Sequence, residues 1–194
     1  MHRILRPALS LLVLLTLVTG VAYPLLVTGL AQLLFPVSAR GSLVLDAGTP
    51  VASRLIGESF SDPRYFWGRP SATTPYPYDA GASGGSNLGP LNPALLAAVQ
   101  QRVAALRAAD PGNTGPVPVD LVTASGSGLD PEVSVAGIEY QIGRVARARG
   151  LPPDELRQLI GRQRRGALLG FLGEPRVNVL ELNLALDALQ AGAR

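Results

Sequence analysis

The run Ser83-Gly84-Gly85-Ser86-Asn87 is the first place in this sequence where chemistry could reside. Successive backbone N–H groups in a glycine-rich, hydroxyl-bearing turn can converge on an anion. No lysine follows to reach a phosphate, because all 17 cations of the 194-residue chain are arginines, so a Walker A loop is excluded. The plainer reading is a tight turn that needs positive φ. Ser125-Gly126-Ser127-Gly128-Leu129-Asp130-Pro131 is a second such run. Asp130 is a candidate ligand or acid, yet Asp before Pro most often opens a turn. Asn178 and Glu181 could hold a cation; more simply, Asn178 caps a helix and Glu181 reaches back to close a capping box. Asn183, Asp187 and Gln190 fall on the opposite face of that helix. Residues 144–165 carry seven arginines (144, 147, 149, 157, 162, 164 and 165) against Asp154 and Glu155. Helices joined at Gly150 would imitate a helix-turn-helix, so the alternative function is a membrane-anchored nucleic-acid or anionic-lipid binder using the Arg144–Arg165 face. A solvated arginine face is the simpler account.

Composition removes most other chemistry. The chain has no cysteine and its one histidine is His2. Thiol catalysis, Schiff-base lysine chemistry and the usual Cys/His zinc sites are therefore impossible. A Ser-His-Asp arrangement would depend on a residue at the very start of the chain. No pair of carboxylates has a spacing that demands partnership. These exclusions point to a non-catalytic protein with no metal site and no tightly bound cofactor. The formal net charge is +3, and with Arg3 and Arg6 set aside the rest of the chain holds 15 Arg against 14 Asp plus Glu. That near balance gives no reason to expect an acidic partner.

The elements that would position these residues begin with an oily stretch. No charge falls between Pro7 and Ala39, and Ala8 to Leu34 reads as a transmembrane helix. Gly20, Gly29 and the Tyr23-Pro24 step suit a membrane helix that a neighbour approaches closely better than a soluble one. Val37-Ser38-Ala39 would serve as a signal cleavage site, but the apolar stretch far exceeds the roughly 7–15 residues of a signal core. An uncleaved anchor is expected. Arg3 and Arg6 before the span against Arg40 after it place residues 1–7 in the cytoplasm and the domain from residue 35 to 194 outside the cell membrane.

Beyond the span, residues 41–58 read as a small β hairpin around Ala47-Gly48-Thr49-Pro50. Between Phe60 and Pro93 lie six prolines and five glycines, together with six of the chain's ten aromatics. That is an ordered Gly/Pro-rich loop region whose rings must be buried against something. Asn92-Pro93 opens a helix running to about Ala108. Pro116 to Thr123 reads as extended. Helices follow from Val135 to Gly150, from Pro153 past Ile160, and from about Val179 to Gln190. The fold class expected is α+β: one N-terminal transmembrane helix, then a single, mainly helical extramembrane domain with a small β hairpin and long Gly/Pro-rich loops.

Several motifs in order carry a family resemblance: Leu5-Arg6-Pro7-Ala8-Leu9; Thr19-Gly20 with Tyr23-Pro24; Leu55-Ile56-Gly57 before Tyr65-Phe66; and Gly68-Arg69-Pro70-Ser71-Ala72-Thr73. The series continues with Ser83 to Leu88 and Asn92-Pro93, Val122 to Ser125 with Gly128-Leu129-Asp130, Gln141 with Arg144-Val145-Ala146, and Val177 to Asn183. Nearly the whole chain thereby resembles the KdpC family of the Kdp potassium-transporting P-type ATPase. Gly126, Tyr140 and Asp79 stand where that family more often has Ala, Trp and Asn. The resemblance implies an accessory subunit that assembles with a channel-like potassium-binding subunit, an ATP-hydrolysing subunit and a small hydrophobic peptide, and binds no nucleic acid. It implies a catalytic chaperone that raises the pump's affinity for ATP; in such a complex the Gly/Pro-bearing helix would pack on a transport subunit and the aromatic loop at 60–78 would dock at the surface. It also likens Ser83-Gly84-Gly85-Ser86 to the nucleotide-sensing signature of ABC transporters, which makes Ser83, Gly84, Gly85, Ser86 and Asn87 a possible nucleotide contact. The expected topology puts that loop outside, where ATP is scarce, so direct contact requires the opposite orientation or a re-entrant loop.

Overall fold

A computed structural model describes residues 2–46 and 48–192. Met1 of the expected cytoplasmic segment, Ala47 of the expected turn, and Ala193 and Arg194 of the expected domain lie outside the described residues. Contacts divide the chain after Ser53 into two compact units, so the hairpin groups with the apolar helix rather than with the domain that follows.

In the first unit, helix α1 (His2–Leu17) continues through a π-helical turn at Val18–Ala22 into α2 (Tyr23–Leu34). The π turn has a local cause. Pro24 has no N–H, and its ring would strike the carbonyl of residue 20 in a regular helix. The Tyr23 N–H therefore donates five residues back, to Val18 O, and the turn widens. Thr19 returns its hydroxyl hydrogen to Leu15 O at 2.7 Å. Ile4–Leu34 is long and apolar enough to cross a membrane, about 46 Å at 1.5 Å per residue. The helix starts before the expected span and takes in Arg6. A short helix α3 (Pro36–Ala39) precedes β1 (Leu43–Asp46) and β2 (Thr49–Ser53), which pair antiparallel with a bulge at Val44/Leu45.

The second unit holds α4 (Pro93–Ala109), β3 (Glu132–Ser134), α5 (Val135–Arg149), α6 (Pro153–Gln163), β4 (Arg164–Arg165), β5 (Arg176–Asn178) and α7 (Val179–Gly192). The helices fall where their periodicity placed them. Asn92 caps α4 through Ala94 N–H, and Gly150 ends α5 in the left-handed region at φ 66°. The antiparallel sheet β3-β5-β4 was not expected, and its strands are too short to show a period of two. Pro116–Thr123 is not an extended run: it winds into a 3₁₀ turn at Val119–Leu121. The core gathers Val133 and Val177 from the sheet, Ile138, Ile142 and Val145 from α5, Leu156 and Ile160 from α6, and Leu182 and Leu186 from α7. Phe66, from the loop region, is wholly buried among them.

Candidate functional site

Three side chains of the motifs quoted above, Gln141, Arg144 and Asn183, converge on one layer, where the loop 57–88 lies over α5 and α7. Gln141 reads one backbone unit of that loop. Its Oε1 accepts from Trp67 N–H at 2.8 Å, and its Nε2 donates to Trp67 O at 3.0 Å. Asn183, on α7, does the same to the residue before: it accepts from Phe66 N–H and donates to Phe66 O, both at 2.9 Å. Arg144, one helical turn from Gln141, donates to Pro63 O at 2.6 Å, to Tyr65 O at 3.0 Å and to Gln141 Oε1 at 2.6 Å. Its guanidinium also stacks over the Trp67 ring at 4.2 Å. Burial lowers the Arg144 pKa to about 10, against the favourable charges of Asp110 and Asp62, so it stays protonated at neutral pH.

The aromatic loop is thereby fastened inward. Arg149 covers the Tyr65 ring at 4.6 Å and pairs with Asp187 at 2.7 Å, while the Tyr65 hydroxyl donates to Asp187 at 3.0 Å. Phe60 and Trp67 pack on the core. The expectation that these rings are buried against something holds for most of them: Phe66 is wholly buried, Phe60, Tyr65, Trp67 and Tyr78 are partly covered, and Tyr76 is the large exposed ring.

A second group of loop contacts fixes the two glycine-rich runs against each other. Ser71 donates to Gly128 O at 2.7 Å and accepts from Tyr78 N–H at 2.9 Å. Arg69 pairs with Asp130 at 3.0 Å, and the Tyr78 hydroxyl donates to Arg69 O at 2.5 Å. Burial, with the nearby Asp130 charge, raises the Tyr78 pKa to about 12. Gly84 N–H donates to Ser127 O at 2.9 Å, and Ser83 Oγ to the same oxygen at 3.1 Å. Neither Gly84 nor Gly85 has positive φ; Asn87, at φ 52°, takes the left-handed position. Close approach is what requires glycine here. A Cβ on Gly85 would sit 3.0 Å from Gly126 O, and one on Gly128 would sit 2.6 Å from Gly84 O. Ser83, Ser86 and Asn87 remain exposed. Asp130 is occupied by Arg69 and accepts from Glu132 N–H at 3.0 Å, the turn-opening role.

Two other expectations change. Asn178 caps α7 through Glu181 N–H at 3.0 Å, but Glu181 does not reach back; its carboxylate takes Arg165 at 2.7 Å and Arg54 at 3.3 Å. Of the seven arginines, 147, 157, 162, 164 and 165 are solvent-exposed as a solvated face would have them, whereas Arg144 and Arg149 turn inward. Arg144 and Arg149 are used as described, Arg147 pairs with Asp110, Arg157 with Asp154 and Glu139, and Arg165 with Glu132 and Glu181. Only Arg162 and Arg164 stay exposed without an ion pair among the described residues, too few for a nucleic-acid recognition face. No three His, Cys, Asp or Glu converge among the described residues. Sequence reasoning missed the Arg69–Asp130 pair and the Asp120 carboxylate that accepts from Ser134 N–H at 2.6 Å. Both partnerships span loops and leave no local pattern to find.

The pattern of the family described as "KdpC: K+-transporting ATPase, c chain" matches residues 5–188. Curated relatives agree in length as well as sequence. The "Potassium-transporting ATPase KdpC subunit" of Polaromonas naphthalenivorans is 67% identical over 98% of this chain and 97% of its own. The protein of the same name from Variovorax paradoxus is 64% identical over 98% of this chain and 99% of its own. That of Herpetosiphon aurantiacus is 56% identical over 98% and 99%.

Proposed function

Because the chain belongs to the KdpC family of the K+-transporting ATPase, we propose that it holds the potassium pump together and tunes its use of ATP by contact alone. It is a subunit of that complex and not the catalytic one. The observation that carries the reading is the fate of the polar signature. Gln141, Arg144 and Asn183 are buried and spent on loop carbonyls and amides, so the residues most able to do chemistry serve as internal clamps. What remains for partners is surface and the apolar helix. No residue of that helix is buried, and Gly29 leaves a notch with nothing within 4 Å where a neighbouring helix could seat.

The partners of this reading are a channel-like potassium-binding subunit, an ATP-hydrolysing subunit and a small hydrophobic peptide. The span is single-pass with its N-terminus in the cytoplasm, as the arginines before it favour. Docking would stabilise one state of the pump, and a contact difference of about 1.4 kcal/mol between states alters an apparent affinity tenfold. Nucleotide contact by Ser83, Gly84, Gly85, Ser86 and Asn87 is the second reading. The exposed Ser83, Ser86 and Asn87 side chains favour it, and the outward topology opposes it. Affinity capture of the tagged full-length chain from membranes tests the assembly role. The pump's other subunits should come with it; their absence would refute the reading.

A further inference from the structure

Between β4 and β5 the chain runs Gly166-Ala167-Leu168-Leu169-Gly170-Phe171-Leu172-Gly173-Glu174-Pro175. Leu168, Leu169 and Phe171 are 66%, 77% and 74% exposed, and Leu172 is 48% exposed. Four large apolar side chains clustered in one turn form a patch that soluble surfaces seldom carry without use. The turn itself favours a different residue. Leu169 at φ 55° and Gly170 at φ 83° occupy the two left-handed positions for which hairpins select Asn-Gly or Gly-Gly. Leucine is disfavoured there, so its presence answers to something other than the turn.

The backbone of this tip is closed. Leu168 N–H donates to Leu172 O and Leu172 N–H to Leu168 O, both at 2.9 Å. Gly170 N–H donates to Ala167 O at 3.0 Å and Phe171 N–H to Leu168 O at 3.3 Å. Four of the five N–H groups of residues 168–172 are thereby used within the turn, which lowers the cost of seating it at a bilayer interface. Charge at its base is uneven. Arg165 and Arg176 are neutralised by Glu132 at 3.2 and 2.5 Å, whereas Arg162 and Arg164 are exposed without an ion pair among the described residues. Glu174 is the acidic residue on the loop.

We propose that the 168–172 tip inserts into the boundary between headgroups and acyl chains of a bilayer containing anionic lipid, with Arg162 and Arg164 on the lipid phosphates. The chain carries its own membrane span at Ile4–Leu34, so a bilayer is always within its tether. Apolar side chains beside unpaired cations are the combination that anionic interfaces bind. A protein groove would take the leucines but leave the arginines unexplained.

The absence of cysteine makes the test clean. Full-length protein carrying Leu169→Cys, labelled with an environment-sensitive fluorophore, is reconstituted into phosphatidylcholine–phosphatidylglycerol vesicles. The emission should shift to the blue and be quenched by lipids spin-labelled high on the acyl chain. A probe at Leu91→Cys, a position 96% exposed, should remain aqueous. Arg162→Gln with Arg164→Gln should return the 169 probe to aqueous emission, as should Phe171→Asp, with circular dichroism unchanged in each. Aqueous emission at position 169 of the unsubstituted background overturns the proposal. A probe shielded only after the pump's other subunits are added also overturns it and assigns the tip to a protein partner.

Discussion

Arg144 sits among carbonyl oxygens and the Trp67 ring, with no carboxylate bonded to it among the described residues. Its planar fork reaches Pro63, Tyr65 and Gln141 together, a geometry an ammonium cannot reproduce. Arg144→Ala should cost about 2–3 kcal/mol by leaving buried acceptors unpaired, and Arg144→Lys should recover little of it; thermal unfolding of the purified chain measures both. Phe66→Ala should cost about 3–5 kcal/mol for the cavity it leaves. Asp62 gives a pH signature of a different kind. The Arg64 side chain and backbone N–H hold its pKa at about 2, below the ordinary 3.8. A folded pKa below the unfolded one means stability present above the ordinary value and lost as pH falls through the folded one. Asp62→Asn should therefore flatten the melting-temperature profile between pH 3.8 and about 2. The pair is solvent-exposed, so the effect should be small and weaken with added salt. An unchanged profile would remove Asp62 from the acid response.

At the level of elements, the helices were legible because caps and apolar spacing are local: Asn92-Pro93, Gly150 and Asn178 mark the ends they were read to mark. The sheet β3-β5-β4 was not, since strands of two or three residues cannot express alternation. The clamps were half legible. Gln141, Arg144 and Asn183 belonged to the motifs that carry the resemblance, but Trp67 lies 74 residues from Gln141 and Phe66 lies 117 from Asn183, and nothing local announces such pairings. Likewise Gly85 and Gly128 read as turn residues, and Gly128 does hold a positive φ, but at both a Cβ would also meet the backbone of the facing loop. Gly128→Ala, strained at φ 68° and blocked by Gly84 O and Thr73, should destabilise the chain by more than about 1 kcal/mol; a neutral melt would contradict that packing. Gly29→Leu should leave the helix intact, because nothing lies within 4 Å of its new Cβ. It should nevertheless reduce recovery of the pump subunits in affinity capture, and undiminished recovery would take the Gly29 notch out of the interface.

For the whole molecule, the sequence spoke most clearly through what it lacks. With no lysine, no cysteine and one histidine near the start, little beyond contact remains for this chain to contribute. The fold fits that role by using its polar signature internally and leaving an apolar helix and an apolar tip outward. The proposed sidedness rests on the arginines before the span: Ser83→Cys in intact cells should react with a membrane-impermeant thiol reagent, and labelling only after lysis would reverse the orientation and favour direct nucleotide contact. The most direct measurement is potassium-stimulated ATP hydrolysis by the pump's other subunits, followed against ATP concentration with and without this chain. The chain alone should hydrolyse no ATP, and its addition should lower the ATP concentration giving half-maximal rate. Turnover by the chain alone, or an ATP curve that its addition does not move, would contradict the account.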